Sequence, residues 1–250
     1  MNRSLLALFF VVAVASPGLA QPHVIAVDSS RALYEINVAT GAKTLFRTVS
    51  ANAGTTAGLA VGAGNVVYLT STSNDSLYTL DLATGSATLV GAYGDAAIVM
   101  HGLEYVPETS TLYGVSSHNN GLYNINTTTG AATLIGTSGL TSFTNLGWNS
   151  ATDVMYATNS GTDSLYTMNL ATGAATLVGP LTGPTNPNGL AFDFNNSIMY
   201  MVDNNTDTFY TLNLATGAAT AIGSTGTGNL LGLAYTVGPL PVELLDFGVE

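Results

Sequence analysis

The chain has 250 residues, no cysteine, and four lysines or arginines against fifteen aspartates or glutamates, for a formal net charge of −11. Without thiols there is no disulfide framework, no cysteine nucleophile and no thiolate metal site. The acidic excess argues against nucleic acid and anionic membrane surfaces as partners, since both would repel the chain.

The first predicted element is a leader. Arg3 supplies a short positive region, residues 5–15 are apolar, and Ser16-Pro17-Gly18-Leu19-Ala20 offers the small residues of a signal-peptidase site. Residues 1–20 are read as a signal peptide, with Gln21 as the mature start and a secreted, extracellular or cell-surface location. The remaining basic residues, Arg31, Lys43 and Arg47, all fall in the stretch that follows. No later segment approaches the roughly 18 consecutive apolar residues of a membrane-spanning helix.

From Ala32 onward one pattern recurs five times, most clearly at residues 164–179 (SLYTMNLATGAATLVG). Its tyrosine returns as Tyr34, Tyr78, Tyr123, Tyr166 and Tyr210, at spacings of 44, 45, 43 and 44 residues. Its turn glycine keeps step as Gly41, Gly85, Gly130, Gly173 and Gly217. Repeats of about 40–45 residues are the length of propeller blades. Each divides into four short strands, in the last complete copy residues 188–194, 197–202, 208–214 and 218–222, separated by Asn, Asp and Gly turns. The Ala-Thr-Gly turn is a hairpin whose glycine needs a positive φ, so the motif is structural.

The ends complete the count. Residues 23–28 (HVIAVD) align with a second strand, so the first repeat lacks its first strand. Residues 231–237 (LGLAYTV) supply the missing piece. The predicted fold is therefore all-β: a five-bladed β-propeller of four-stranded antiparallel blades over residues 21–237, closed by a C-terminal strand joining the N-terminal blade. Residues 238–250 form a tail or truncated linker.

The pattern GLAF…LYxxD…LYxLNxATGAATxxG resembles the secreted bacterial propellers of the NHL-repeat, WD-repeat-like and quinoprotein-like superfamilies. That resemblance implies blade architecture and leaves function open. Quinoprotein blades carry a tryptophan after the Thr-Gly turn. Here Trp148 is the one tryptophan and stands on a first strand, which argues against a pyrroloquinoline cofactor. In the tail, Leu240-Pro241-Val242-Glu243-Leu244 resembles the opening of the C-terminal module of type IX secretion cargo.

Catalytic signatures are scarce. The chain lacks Gly-x-Ser-x-Gly, a phosphate-binding Gly-x-x-x-x-Gly-Lys and His-Glu-x-x-His. Departures from the repeat direct attention elsewhere. The residue before the first-strand glycine reads Ala57, His101, Thr144, Asn188 and Leu231. Two residues after that glycine come Ala60, Glu104, Gly147, Ala191 and Ala234. His101 and Glu104 are thus candidates for a polar pair at the channel mouth. The loops between second and third strands contribute His118, Asp163 and Asp207 to the same expected face, opposite the Ala-Thr-Gly turns. Asp203-x-Asn205-x-Asp207 has the oxygen spacing of a calcium loop but lacks its glycine and distal glutamate. Asp75, Asn120, Asp163 and Asp207 share one repeat position, where turn capping is the better account. The tyrosine series are read as inter-blade packing.

The expected function is a secreted, non-enzymatic binding or scaffold propeller. Its ligand-binding face carries His101, Glu104, His118, Asp163, Asn188 and Asp207, and takes a carbohydrate, a cation or an extracellular protein. The alternatives are a hydrolase or lyase using His101 and Glu104, and a structural cell-surface module.

Overall fold

The computed structural model describes residues 22–238 and Leu240. The leader and residues 241–250 of the tail lie outside the described residues.

Among the described residues, twenty strands form five four-stranded antiparallel sheets. The first blade holds β1 (His23–Asp28), β2 (Ala32–Ile36) and β3 (Lys43–Thr48). The second holds β4 (Thr56–Val61), β5 (Val67–Ser71), β6 (Ser76–Leu80) and β7 (Ala87–Ala92). The third runs through β8 (Met100–Val106), β9 (Thr111–Ser116), β10 (Gly121–Ile125) and β11 (Ala132–Thr137). The fourth comprises β12 (Phe143–Asn149), β13 (Val154–Asn159), β14 (Ser164–Met168) and β15 (Ala175–Pro180). The fifth comprises β16 (Pro187–Asp193), β17 (Ile198–Asp203), β18 (Thr208–Leu212) and β19 (Ala219–Ser224). The last strand, β20 (Leu230–Thr236), returns to the first blade and pairs with β1, Val24 opposite Tyr235 and Val27 opposite Gly232. The closure expected from the two chain ends is present.

The innermost strands β20, β4, β8, β12 and β16 neighbour one another in a closed ring. Blades stack on both sides of each sheet, so second strands are buried on both faces: β17 reads IMYMVD with five of its six residues buried. Outer strands face water along much of their length, as the half-exposed ATLVGP of β15 shows. The core is accordingly five clusters, one per blade interface. The cluster between the first and second blades joins Ile25, Val27 and Leu33 to Leu59, Leu69 and Tyr78.

The Ala-Thr-Gly turns do more than reverse the chain. Asn169 caps its turn, its Oδ1 accepting from the amides of Ala171 at 2.9 Å and Thr172 at 3.1 Å. Gly173 follows at φ 74°, and its four counterparts lie between 76° and 80°. A Cβ on Gly173 would lie 2.6 Å from the carbonyl of Gly136 in the preceding blade. Gly130 meets Gly91, Gly217 meets Gly179, and Gly41 meets Gly223 across the closing interface in the same way. Each such turn therefore presses backbone against a glycine of its neighbour's outer strand. Between the first and second blades the outer-strand glycine is replaced by Arg47, whose Nε donates to the Ala83 carbonyl at 2.8 Å.

The series Asp75, Asn120, Asp163 and Asp207 requires a correction. These residues do not cap; they adopt left-handed backbone, at φ 46°, 59°, 48° and 46°, as does Arg31 at 76°. Asp and Asn are favoured there because a short polar side chain tolerates that conformation. The caps sit at the end of the second strands instead. Asp28 Oδ1 accepts from Ser30 and Ala32 amides at 2.8 Å each, and Asn159 Oδ1 from Gly161 at 2.9 Å and Thr162 at 3.0 Å.

The third-strand tyrosines pack into the blade interfaces as expected, with hydroxyls tied to their own blade's loop. Tyr166 meets Thr162 at 3.1 Å and Tyr210 meets Thr206 at 3.0 Å.

Candidate functional site

The antiparallel order fixes two ends of the disc. At the leading end, first strands begin and the loops between second and third strands turn. At the trailing end, first strands finish and the Ala-Thr-Gly turns lie. Leading-end loops are tied in pairs within a blade by backbone bonds such as Ser117 N to Val99 O (3.1 Å) and Asn204 N to Asn186 O (3.1 Å).

At the leading end these loops surround an axial vestibule of about 530 Å³. Register shifts near the start of the first strands create it. His101, Thr144 and Leu231 are each skipped in the pairing with the second strand, and each lines the vestibule. A bulge re-aims the extra side chain out of the ladder. Around them stand His118, Asn186, Asn188 and Asn204, with serines between. The lining holds amides, hydroxyls and two imidazoles, and neither a carboxylate nor a lysine or arginine. Burial, with the nearby His118 charge, lowers the His101 pKa, so its ring favours the neutral form. Ser117 Oγ meets His118 Nδ1 at 3.1 Å.

Asp203 stands behind this lining with both oxygens engaged. Oδ1 accepts from the Asn205 amide (3.1 Å) and from the amide and hydroxyl of Thr206 (2.8 and 2.9 Å). Oδ2 accepts from the amides of Thr185 (2.9 Å) and Asn186 (2.6 Å). Five donors hold the linker against the loop and orient Asn186 toward the vestibule. The calcium expectation for Asp203, Asn205 and Asp207 meets a site in which the central carboxylate faces N–H and O–H donors. Asp163 and Asp207 lie on the same end of the disc, outside the vestibule lining.

Glu104 lies elsewhere. It lines a separate cavity of about 110 Å³ at the trailing end, which shares no residue with the vestibule. The expected His101–Glu104 pair is therefore not brought together: three residues along β8 carry the chain from one cavity to the other. Glu104 Oε1 accepts from its neighbour Tyr105's amide at 2.9 Å, and Oε2 from the Trp148 amide at 3.1 Å. Burial outweighs these two bonds and raises its pKa to about 8.

The residue that divides the two cavities was not singled out from sequence. Four first strands carry glycine at one level of the channel, Gly58, Gly102, Gly189 and Gly232, and β12 carries Asn145 instead. A Cβ on Gly232 would come within 2.4 Å of the Ala57 carbonyl, so these strands touch through backbone. Asn145 is fully buried, and its Nδ2 donates to the Leu231 carbonyl at 2.9 Å. Leu231 belongs to the first blade, which is not adjacent to the fourth, so this bond crosses the axis and floors the vestibule. The break in the glycine series was the available signal.

These features define a β-propeller repeat protein, with five blades around a plugged axis. Within it, a family model described as a repeat of unknown function (DUF6923) matches residues 106–228. The whole of the first two blades, and β8 up to its last residue, fall outside that match. No curated protein matches the chain in sequence. Among solved structures, a chain of a nidogen/laminin complex aligns at TM-score 0.61 and 15% identity, over 86% of this chain and 98% of that one. A protein of unknown function from Bacteroides thetaiotaomicron aligns at 0.60 and 19%, over 83% and 56%. Virginiamycin B lyase from Staphylococcus aureus aligns at 0.52 and 13%, over 82% and 70%. At these identities the likeness shows the fold.

Proposed function

We propose that this is a secreted, non-enzymatic binding propeller whose leading-end vestibule takes a neutral polyhydroxylated ligand, a carbohydrate. The observation that carries this reading is the vestibule's chemistry: amides, hydroxyls and imidazoles converge on about 530 Å³ without a fixed charge. Such groups donate to and accept from hydroxyls, and pockets of this size suit small ligands. Residues 1–20, read as a leader, support export. A cation suits the vestibule less well, because the acidic residues of this end stand outside its lining or are already engaged. The separation of His101 from Glu104 weighs against those two as a catalytic pair.

Binding of neutral oligosaccharides to the purified chain, followed by calorimetry, tests the reading. Asn188→Ala and His118→Ala should each weaken binding about tenfold, the loss of one or two hydrogen bonds, with melting nearly unchanged at exposed His118 and lowered at buried Asn188. Unchanged affinity in both variants would place the ligand elsewhere.

A further inference from the structure

We infer that the trailing-end cavity is a second binding site, for a small organic cation of the alkylammonium class. Its walls include Tyr105, Trp148, Phe192, Phe194 and Tyr235 among aliphatic and small residues, and Glu104 supplies the one carboxylate of the lining. Aromatic faces around a single acid are the chemistry that holds an ammonium group, through the ring quadrupoles and one counter-charge. Size selects the ligand: about 110 Å³ is well below what a sugar ring with its hydroxyls needs, and it admits a headgroup of a few heavy atoms. The aromatics are fixed from outside. Trp148 Nε1 donates to Glu108 Oε2 at 3.1 Å. Phe194 packs edge-on to Tyr235 at 5.0 Å, and the Tyr235 hydroxyl receives Asn195 Nδ2 at 2.7 Å. Phe194 is 52% exposed, an apolar side chain at the rim that fold packing leaves uncovered. None of Arg31, Lys43 and Arg47 lines the cavity, and the chain's net charge of −11 attracts cations toward it.

Protonation couples to this site. The titratable groups around Glu104 are Tyr113 across the strand pair, Glu108 on the far side of Trp148, and Tyr105 and Tyr235 in the wall. Burial, with Asp193 adding to it, pushes Tyr235 up to about 12. Glu104, at about 8, is the group whose charge changes near neutrality. A bound cation favours the carboxylate and releases its proton, so affinity rises with pH through that value.

Trp148 is the only tryptophan, so its emission reads the cavity directly. The probes are tetramethylammonium and tert-butanol, a neutral alcohol with the same number of heavy atoms, titrated into the full chain. Tetramethylammonium should shift the emission saturably and bind about tenfold tighter than the alcohol, the size of a desolvated cation–π contribution. Its affinity should rise as pH passes about 8. Glu104→Gln should abolish both the preference and the pH dependence. Phe194→Ala, at an exposed position that folding does not need, should weaken binding with melting retained. No emission change with either probe overturns the proposal. So does equal affinity for the alcohol, which would make the cavity an apolar pit. The vestibule reading is unaffected by either result, because its oligosaccharide test uses other residues.

Discussion

At Gly173 two demands fall on one atom. The turn needs φ 74°, where a Cβ clashes with its own carbonyl, and the neighbouring blade leaves no room for one beside Gly136. Gly139 separates the two demands, since it has φ 78° and nothing within 4 Å of its Cβ position. Gly139→Ala should cost about 1 kcal/mol, the backbone term alone. Gly173→Val should cost at least about 2 kcal/mol more, from overpacking against a fixed backbone. Urea melts of the two variants give the comparison, and equal losses would mean that the inter-blade contact contributes nothing. Charge at the axis makes a second residue-scale prediction. Glu104 rises from 4.5 to about 8 on folding, so its contribution to stability is fully present below 4.5 and is lost as pH climbs through about 8. His101 is shifted the other way, below 6.5, so its contribution is present above 6.5 and is lost as pH falls through its lowered value. Thermal melting across pH should show Glu104→Gln flattening the decline between 4.5 and about 8, and His101→Gln the one that sets in below 6.5.

At the scale of strands, closure rests on β20. Removing residues 231–250 bares the β1 ladder along its length and takes Leu233 and Ala234 out of two blade interfaces. Unpaired strand edges template association, so the truncated chain should aggregate or melt without cooperativity. Light scattering and calorimetry would show this, and an unchanged transition would contradict it. The strands themselves were legible because turn residues recur in register with alternating apolar ones. In the fifth blade the observed third strand ends at Leu212, two residues before the predicted limit, because Asn213 already caps the turn. The site was legible in part. His101, His118 and Asn188 were identified as departures from a repeat and do line one vestibule. Glu104 was identified by the same rule and lies in another cavity, because repeat position gives a level along the strand and not which side of a plug a side chain occupies. Phe192 and Phe194 carried no signal, since aromatic residues in a β-rich chain read first as core.

The whole molecule is a disc with different chemistry at its two ends. The leading end is broad, polar and uncharged at its centre, and the trailing end is narrow and aromatic around one acid. Asn145 stands between them. Ligands at the two ends would meet no common side chain, and what they share is the inner ring of strands on which both sites are mounted. Asn145→Gly would return the fourth blade to the pattern of the other four and remove the floor of the vestibule.

The joints between blades have a further consequence. At the turns, four of the five are closed by glycine against glycine, main chain upon main chain, and that contact reads nothing of its neighbour's side chains, whereas the apolar cluster deeper in each interface does. Units fitted in this way are interchangeable at the turn contact: one can be exchanged with a sister copy wherever its side chains fill the same interface cluster. The joint at Arg47 is the exception, a side chain set against a main-chain carbonyl in an otherwise uniform set. It lies beside the blade where the two ends of the chain meet. A lineage of such chains would be free to vary its middle blades, and would have least freedom at the seam.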